Sequence, residues 1–177
     1  IMEKIYETAY AKINLGLDVL GKRSDGYHEV RMVMQSVGLS DAVEIEEGEG
    51  LVVETDHSGL AGGPDNLAWK AAELLARCCG KIPNVHIRLN KKIFLAAGLA
   101  GGSSDAAAVM RGLSRLWQLD LTAPELEKLA AELGSDIPFC ITGGTALAEG
   151  RGEILTELPE APELLLVLAK PKLEVAT

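Results

Sequence analysis

Two glycine-containing segments have the residue types that bind phosphate groups. One of them, residues 98–105 (GLAGGSSD), precedes a helix that is expected from the spacing of the apolar residues after it. The first N–H groups of a helix have no intrahelical partner, and glycine lets the backbone approach an anion closely. The segment therefore predicts a phosphate-binding loop. The alternative is an ordinary loop in which Ser103 or Ser104 caps the helix, and a ligand could replace such a cap.

The other segment, residues 16–22 (GLDVLGK), matches the GxxxxGK pattern of nucleotide-binding loops. Arg23 stands where that pattern needs Ser or Thr to hold magnesium. The intervening residues are strand-like, and the turn residues SDG follow them instead of an apolar helix. This match is therefore rejected, and residues 98–105 remain the candidate.

Composition limits the function classes that the chain can serve. Its 177 residues carry 26 acidic and 17 basic side chains, a formal net charge of −9. That balance argues against nucleic-acid binding, because no broad basic face offsets phosphate repulsion. Apolar residues make up 47% of the chain, as in globular proteins, and no apolar run approaches the roughly 20 residues of a membrane span.

The three cysteines indicate a reducing compartment. Cys78 and Cys79 are adjacent, Cys140 is distant, and no CxxC motif occurs. Neither a disulfide framework nor a zinc site is implied. No signal peptide opens the chain, Met2 is the expected native start, and we expect a cytoplasmic protein.

Apolar alternation and turn residues predict a set of short strands. The first covers residues 6–20, and further strands are expected at 30–39, 42–46, 51–55, 85–89, 143–149 and 164–169. Ser40-Asp41 is expected to separate two of them.

Helical spacing and capping residues predict three helices. The first begins near Asp65 or Asn66 and ends at Gly80, with an apolar face that includes Cys78. The second covers 105–116, and the third runs from a capping box at Thr122 to 133. Together with the strands, these helices predict one α+β domain over residues 2–177.

The sequence around the loop resembles a known family. Residues 98–107 (GLAGGSSDAA) are similar to the phosphate loop of the GHMP kinase superfamily. Residues 11–15 (AKINL), 23–29 (RSDGYHE) and 134–139 (GSDIPF) resemble the branch of that superfamily that acts on a cytidine-diphosphate-linked methylerythritol. One departure is Phe94, where the loop of that branch usually begins with Pro.

The resemblance implies a fold and an extent. The fold is that of the GHMP kinase N-terminal domain, which is ribosomal protein S5 domain 2-like, with a mixed sheet packed against helices. The family also has a C-terminal domain, and we expect it to be absent here, so that residues 2–177 are the N-terminal, ATP-binding part.

The implied reaction is ATP-dependent phosphorylation of a hydroxyl on the methylerythritol compound, a step of non-mevalonate isoprenoid (terpenoid) biosynthesis. ATP and Mg²⁺ are the implied cofactors, and the partner is a small molecule with a cytidine diphosphate group. Two alternatives remain open: a kinase for another small alcohol, such as homoserine or mevalonate, and a nucleotide-binding module without catalysis.

The resemblance also assigns roles to residues. Lys12 and Asp136 match the catalytic pair, and Asn14, Tyr27 and His28 match substrate-binding positions. Mg²⁺ would arrive with ATP; Ser104 or Ser103 could add a hydroxyl ligand, although water and phosphate can suffice. The ATP-binding positions form one continuous run: Phe94, Leu95, Ala96, Ala97, Gly98, Leu99, Ala100, Gly101, Gly102, Ser103 and Ser104.

Overall fold

The computed structural model describes residues 4–171, so residues 2–3 and 172–177 of the expected domain lie outside the described residues. The strands are β1 (Lys4–Lys22), β2 (His28–Glu47), β3 (Leu51–Thr55), β4 (Val85–Asn90), β5 (Thr145–Glu149) and β6 (Ile154–Glu157). The helices are α1 (Leu67–Cys79), α2 (Gly101–Leu116), α3 (Ala123–Ala130) and α4 (Ile137–Thr142). None of the helices in this part of the chain is both long and apolar enough to cross a membrane.

The strands form one mixed sheet built around the long strand β2. β1 pairs antiparallel with β2 along one edge, from Lys4 opposite Glu46 to Lys22 opposite His28. On the other edge, β2 pairs with β4 near its C-terminal end and with β5 nearer its N-terminal end. β3 then pairs parallel with β4, and β6 antiparallel with β5. The expected α+β fold with a mixed sheet is confirmed.

The main core lies between the sheet and helices α1 and α2. β4 alternates as a half-buried strand should, with Val85, Ile87 and Leu89 buried. α2 is buried along most of its length because α1, β1, β2 and α4 all pack around it. The helix that follows the loop is therefore held firmly in the middle of the domain.

The helix signals in the sequence are mostly confirmed. Asn66 caps α1 by accepting a hydrogen bond from the N–H of Ala68, and Gly80 ends that helix at a left-handed φ of 63°. The capping box at Thr122 is present, but α3 ends at Ala130 and not at residue 133. Cys78, expected on the apolar face of α1, is exposed.

Two strand predictions are wrong. Residues 30–39 and 42–46 form the single strand β2, because the carboxylate of Asp41 is satisfied inside the protein and does not turn the chain out to solvent. Residues 164–169 form no strand and pair with no strand within residues 4–171; the apolar side chains 164–168 are largely exposed there. β6 and α4 were not anticipated from the sequence.

Candidate active site

The loop from residue 94 to residue 100 has an unusual backbone. Ala96, Gly98 and Ala100 adopt left-handed conformations, with φ of 49°, 69° and 58°. Positive φ is uncommon for alanine, and such strain is concentrated at functional sites. Left-handed residues that alternate with residues in other conformations can direct neighbouring backbone N–H groups towards one concave side, which is a geometry that binds anions.

Helix α2 begins inside the glycine-rich segment, four residues earlier than expected. Its N-cap is Ala100, which makes no side-chain capping hydrogen bond. The first helical hydrogen bond runs from the N–H of Ser104 to the carbonyl oxygen of Ala100, at 2.8 Å. The preceding N–H groups of Gly101, Gly102 and Ser103 therefore have no intrahelical partner. This geometry replaces the alternative in which Ser103 or Ser104 caps the helix.

The loop and Asp136 line the same cleft. The cleft has a volume of about 310 Å³ and is lined by residues 94–103 and by Asp136. The run of residues expected to bind phosphate and the aspartate expected to act on the hydroxyl are thus brought to one place. A phosphate held by the loop would lie near a carboxylate, which is the arrangement that phosphoryl transfer to an alcohol requires.

The two serines of the loop have different environments. Ser104 is buried, and its hydroxyl donates to the carbonyl oxygen of Tyr10 at 2.6 Å, with the thiol of Cys140 3.4 Å away. Burial raises the pKa of that thiol to about 11, so Cys140 is a neutral neighbour. Ser103 lines the cleft and is partly exposed, so this geometry favours Ser103 over Ser104 as a hydroxyl ligand for a cation.

Lys12 and Asp136 form an ion pair beside the loop. Lys12 is 5% exposed, and its Nζ lies 3.5 Å from Oδ2 of Asp136, whose side chain is 34% exposed. The ammonium also donates to Oδ1 of Asn14 at 3.4 Å, so Asn14 belongs to the same group. A buried cation thus holds a carboxylate that is still accessible from the cleft, and the carboxylate can accept a proton while the cation stabilises negative charge.

The backbone of β1 is attached to the loop. A register shift between Tyr10 and Lys12 marks an irregularity in the β1–β2 pairing, and the N–H of Lys12 donates to the carbonyl oxygen of Leu99 at 3.1 Å. Beneath this contact, Leu99 packs in a small apolar cluster with the buried residues Ala11 and Ile93. These contacts therefore hold Lys12 at a fixed position relative to the glycine-rich loop.

Tyr27 and His28 lie elsewhere, at the tip of the β1–β2 hairpin. His28 pairs with Lys22, whereas Lys12 pairs with Ser36, ten residues earlier on β1. The hairpin between them has register shifts that bend it, and both residues are exposed.

Tyr27 is oriented by its neighbours. Its N–H donates to Oδ1 of Asp25 at 3.1 Å, and the guanidinium of Arg151, from the turn between β5 and β6, lies 5.0 Å from the centre of its ring. Such a cation–π contact holds one face of an exposed ring and leaves the other open for stacking.

A buried ionic cluster below the loop was not anticipated from the sequence. The ammonium of Lys91 contacts carboxylate oxygens of both Asp41 and Asp105, and all three side chains are almost completely buried. Burial raises the pKa of Asp105 to about 7, although the charge of Lys91 opposes this. The only sequence signal was an aspartate directly after the loop serines, and its partners are 14 and 64 positions away.

No cluster of three or more His, Cys, Asp or Glu side chains suited to a metal is found within residues 4–171. Ser103, which lines the cleft, could add a hydroxyl ligand to a cation brought in by a phosphate ligand.

Comparison with known proteins gives consistent matches. Residues 66–144 match the family model of the GHMP kinases N terminal domain. A 4-diphosphocytidyl-2-C-methyl-D-erythritol kinase of Caldanaerobacter subterraneus subsp. tengcongensis is 50% identical over 174 residues, which are 98% of this chain and 60% of that protein. The kinase of the same name from Synechococcus sp. is 53% identical over 165 residues, or 93% of this chain and 53% of that protein.

A solved structure shares the fold. The crystal structure of 4-(cytidine 5'-diphospho)-2C-methyl-D-erythritol kinase superposes with a TM-score of 0.74 and 38% sequence identity, covering 87% of this chain and 55% of that one. The chain thus spans about 60% or less of the length of these relatives. The matched segment, residues 66–144, includes α1, the glycine-rich loop and α2, and the described part of the chain has the fold of the GHMP kinase N-terminal domain.

Proposed function

We propose that the chain is the ATP-binding part of a kinase that phosphorylates a hydroxyl group of 4-diphosphocytidyl-2-C-methyl-D-erythritol. The observation that carries this proposal is the ion pair of Lys12 and Asp136. Asp136 lines a cleft that is otherwise lined by the glycine-rich loop. Phosphoryl transfer needs a cradle for the phosphates, a group directed at the attacking hydroxyl and neutralisation of charge, and these residues could supply all three.

The loop fits the phosphates of a nucleotide. Its left-handed residues and the unpaired N–H groups at the start of α2 provide donors without adding positive charge, which suits an acidic chain. Magnesium bound to the phosphates would neutralise their charge, with Ser103 able to add a hydroxyl ligand. This assignment includes residues 94–103 and omits the hydroxyl of Ser104, which is bonded internally.

The transfer step can be written with the residues at hand. The oxygen of the substrate hydroxyl bonds to the γ-phosphorus of ATP as the bond from that phosphorus to the β,γ-bridging oxygen breaks, and ADP leaves with the electron pair. Asp136 accepts the hydroxyl proton, and Lys12 keeps the carboxylate oriented and stabilises the charge on the transferring group. Asn14, which accepts a hydrogen bond from Lys12, could contact the same hydroxyl-bearing part of the substrate.

The substrate class rests on the relatives and on the hairpin tip. The two curated relatives carry the name of this kinase at 50% and 53% identity. Tyr27 offers one free ring face to a pyrimidine, and His28 beside it could bond the polar edge of that base. Because the relatives are considerably longer, we propose that the whole protein has a further, C-terminal domain that completes the substrate site.

A substrate panel tests this proposal. The full-length protein would be assayed by coupling ADP release with the cytidine-linked substrate, mevalonate and homoserine, each with Mg²⁺–ATP. We expect a kcat/KM for the cytidine compound at least 10²-fold above the other two, since missing polar contacts reject an analogue strongly. Preference for mevalonate or homoserine would move the protein to another branch of the superfamily. Nucleotide binding without transfer to any of the three would indicate a non-catalytic module.

A further inference from the structure

The buried cluster of Asp41, Lys91 and Asp105 connects three parts of the chain. Asp41 lies in the middle of β2, Lys91 directly follows β4, and Asp105 is on α2. The Lys91 ammonium contacts both carboxylates, and the N–H of Lys91 also donates to Oδ1 of Asp56 at 2.9 Å. One oxygen of Asp105, Oδ1, has no hydrogen-bond partner, while the other accepts from Lys91, and the carboxylate of Asp41 also acts on Asp105.

The same cluster attaches to the residues just before the loop. Oδ1 of Asp41 accepts hydrogen bonds from the N–H groups of Lys92 and Ile93, the latter at 2.8 Å. Ile93 is buried and packs with Leu99 in the middle of the loop. It also lies against Gly101, where an added Cβ would be 3.0 Å from Cγ2 of Ile93. Asp41 therefore fixes the entrance to the loop.

The exit from the loop is fixed by the other carboxylate. Asp105 lies in the second turn of α2, just after the unpaired N–H groups of Gly101, Gly102 and Ser103. Because Lys91 holds Asp105 and Asp41 together, the distance between the two stems of the loop is set by one buried ammonium group. Glu7, the other acidic partner of α2, bonds Arg111 and Arg115 further along the helix and does not touch the loop.

We infer that Lys91 and Asp105 are positioning residues, which hold the two stems of the loop at the separation that its phosphate-binding conformation requires. The left-handed backbone at Ala96 and Ala100 is strained, and strained backbone persists where the surroundings over-determine it. Ionic contacts in a dry interior are directional and cannot be replaced by water, so they are suited to that task. This inference rests on the proposed nucleotide-binding role of the cleft.

The decisive variant is Asp105→Ala, compared with wild type in the full-length protein. Alanine is the best helix former, and the change removes a buried carboxylate that has an unpartnered oxygen. Lys91 keeps Asp41 as its partner. We therefore expect the variant to fold and to keep the thermal stability of the wild type. The Kd for a Mg²⁺-loaded, non-hydrolysable ATP analogue should nevertheless rise about tenfold, as it would if the competent loop conformation fell to a tenth of the molecules.

Two further variants complete the experiment. Asp105→Asn keeps an oxygen acceptor for Lys91 and should restore most of the affinity. Glu7→Gln removes the other carboxylate contact of α2 and should leave the Kd unchanged. If Asp105 served stability alone, nucleotide affinity and melting temperature would fall together in Asp105→Ala. If it positions the loop, the affinity falls while the melting temperature is retained.

Amide hydrogen exchange gives a second readout. In Asp105→Ala, exchange should accelerate in residues 95–103 and stay unchanged in β5 and β6. A wild-type Kd together with wild-type loop exchange in Asp105→Ala would overturn the inference. A wild-type protein that binds no nucleotide would instead overturn the proposed function, so the two failures are distinguishable.

Discussion

At the scale of single residues, the proposed chemistry depends on Lys12 and Asp136. Both were recognised from their sequence neighbourhoods, and the structure places Nζ of Lys12 3.5 Å from Oδ2 of Asp136 although 124 positions separate them. The pairing could not be derived from spacing, because it depends on a strand and on the start of a helix that meet only in the folded domain.

Replacing Asp136 tests its role as proton acceptor. General-base assistance typically contributes 10²–10⁴-fold, so kcat of the full-length Asp136→Asn variant should fall by about that factor. The dissociation constant for ATP should change little, since the loop holds the phosphates. Steady-state kinetics and calorimetric ATP binding measure the two quantities.

The partner residue provides the control. Lys12→Met should also lower kcat, and the double variant should lose less than the product of the two single losses, because the residues act as one unit. Wild-type kcat in Asp136→Asn would exclude it as the base. A collapsed thermal transition would show instead that the residue mainly supports the start of α4.

Asp105 should make stability depend on pH. Its pKa is about 7 in the folded chain, against 3.8 for an ordinary aspartate, chiefly because the carboxyl is buried. The charged groups that act on it are Lys91, which follows β4, and Asp41, which lies on β2. Since the folded pKa is the higher one, the contribution of Asp105 to stability is complete below about pH 4 and is lost as the pH rises to 7.

The measurement is the melting temperature of the chain and of Asp105→Asn between pH 4 and pH 8. One proton corresponds to about 1.4 kcal/mol per pH unit, or about 3–6 °C for a domain of this size. Between pH 4 and pH 7, the melting temperature of the wild type should fall by about that amount per pH unit relative to the melting temperature of Asp105→Asn. Parallel curves for the two proteins would show that Asp105 keeps an ordinary pKa.

At the scale of elements, the sequence predicted what is encoded locally. Asn66 and Gly80 bound α1, and the capping box at Thr122 starts α3, because these signals act on neighbouring backbone groups. Asp41 misled the prediction of β2, since its carboxylate is satisfied by N–H groups about 50 positions away. The apolar run at 164–168 resembled a strand, yet a strand exists only where a partner strand lies beside it.

The loop is the element whose conformation matters most, and Gly98 tests it. An added Cβ at Gly98 meets no atom within 4 Å, so Gly98→Ala changes only the cost of its left-handed φ, by roughly 1–2 kcal/mol. We expect the Kd for the ATP analogue to rise severalfold in calorimetric titrations. Gly101 is less informative, because a side chain there would press into Ile93.

Gly50 is the matched control for Gly98. It has a φ of +72°, also with no atom within 4 Å of an added Cβ, and it lies in the turn between β2 and β3. Gly50→Ala should cost a similar amount of stability and leave nucleotide affinity unchanged. Equal affinities in the two variants would argue against a phosphate role for the loop.

At the scale of the molecule, apolar side chains remain exposed along the β1–β2 hairpin. Leu17 is 53% exposed, Val19 62% and Leu20 57%. Leu17 and Val19 are two positions apart on β1 and share a face of the strand, and exposed apolar surface favours association. We therefore expect the mass of the 177-residue chain in solution to rise above the monomer value of 18.8 kDa as its concentration increases.

Light scattering after size exclusion measures this effect. The double variant Leu17→Thr, Val19→Thr keeps strand propensity while removing apolar surface, so it should shift the chain towards the monomer. A wild-type chain that stays monomeric at all concentrations would show that the exposed hairpin is too small to drive association.

The proposed function requires the loop of residues 94–103 to bind nucleotide phosphates beside Lys12 and Asp136. Amide hydrogen exchange of the chain, with and without a Mg²⁺-loaded ATP analogue, tests it most directly. We expect the analogue to slow exchange chiefly at residues 95–103, which include the N–H groups at the start of α2, and to leave β5 and β6 unaffected. Binding of the analogue with protection elsewhere and none in the loop would contradict it.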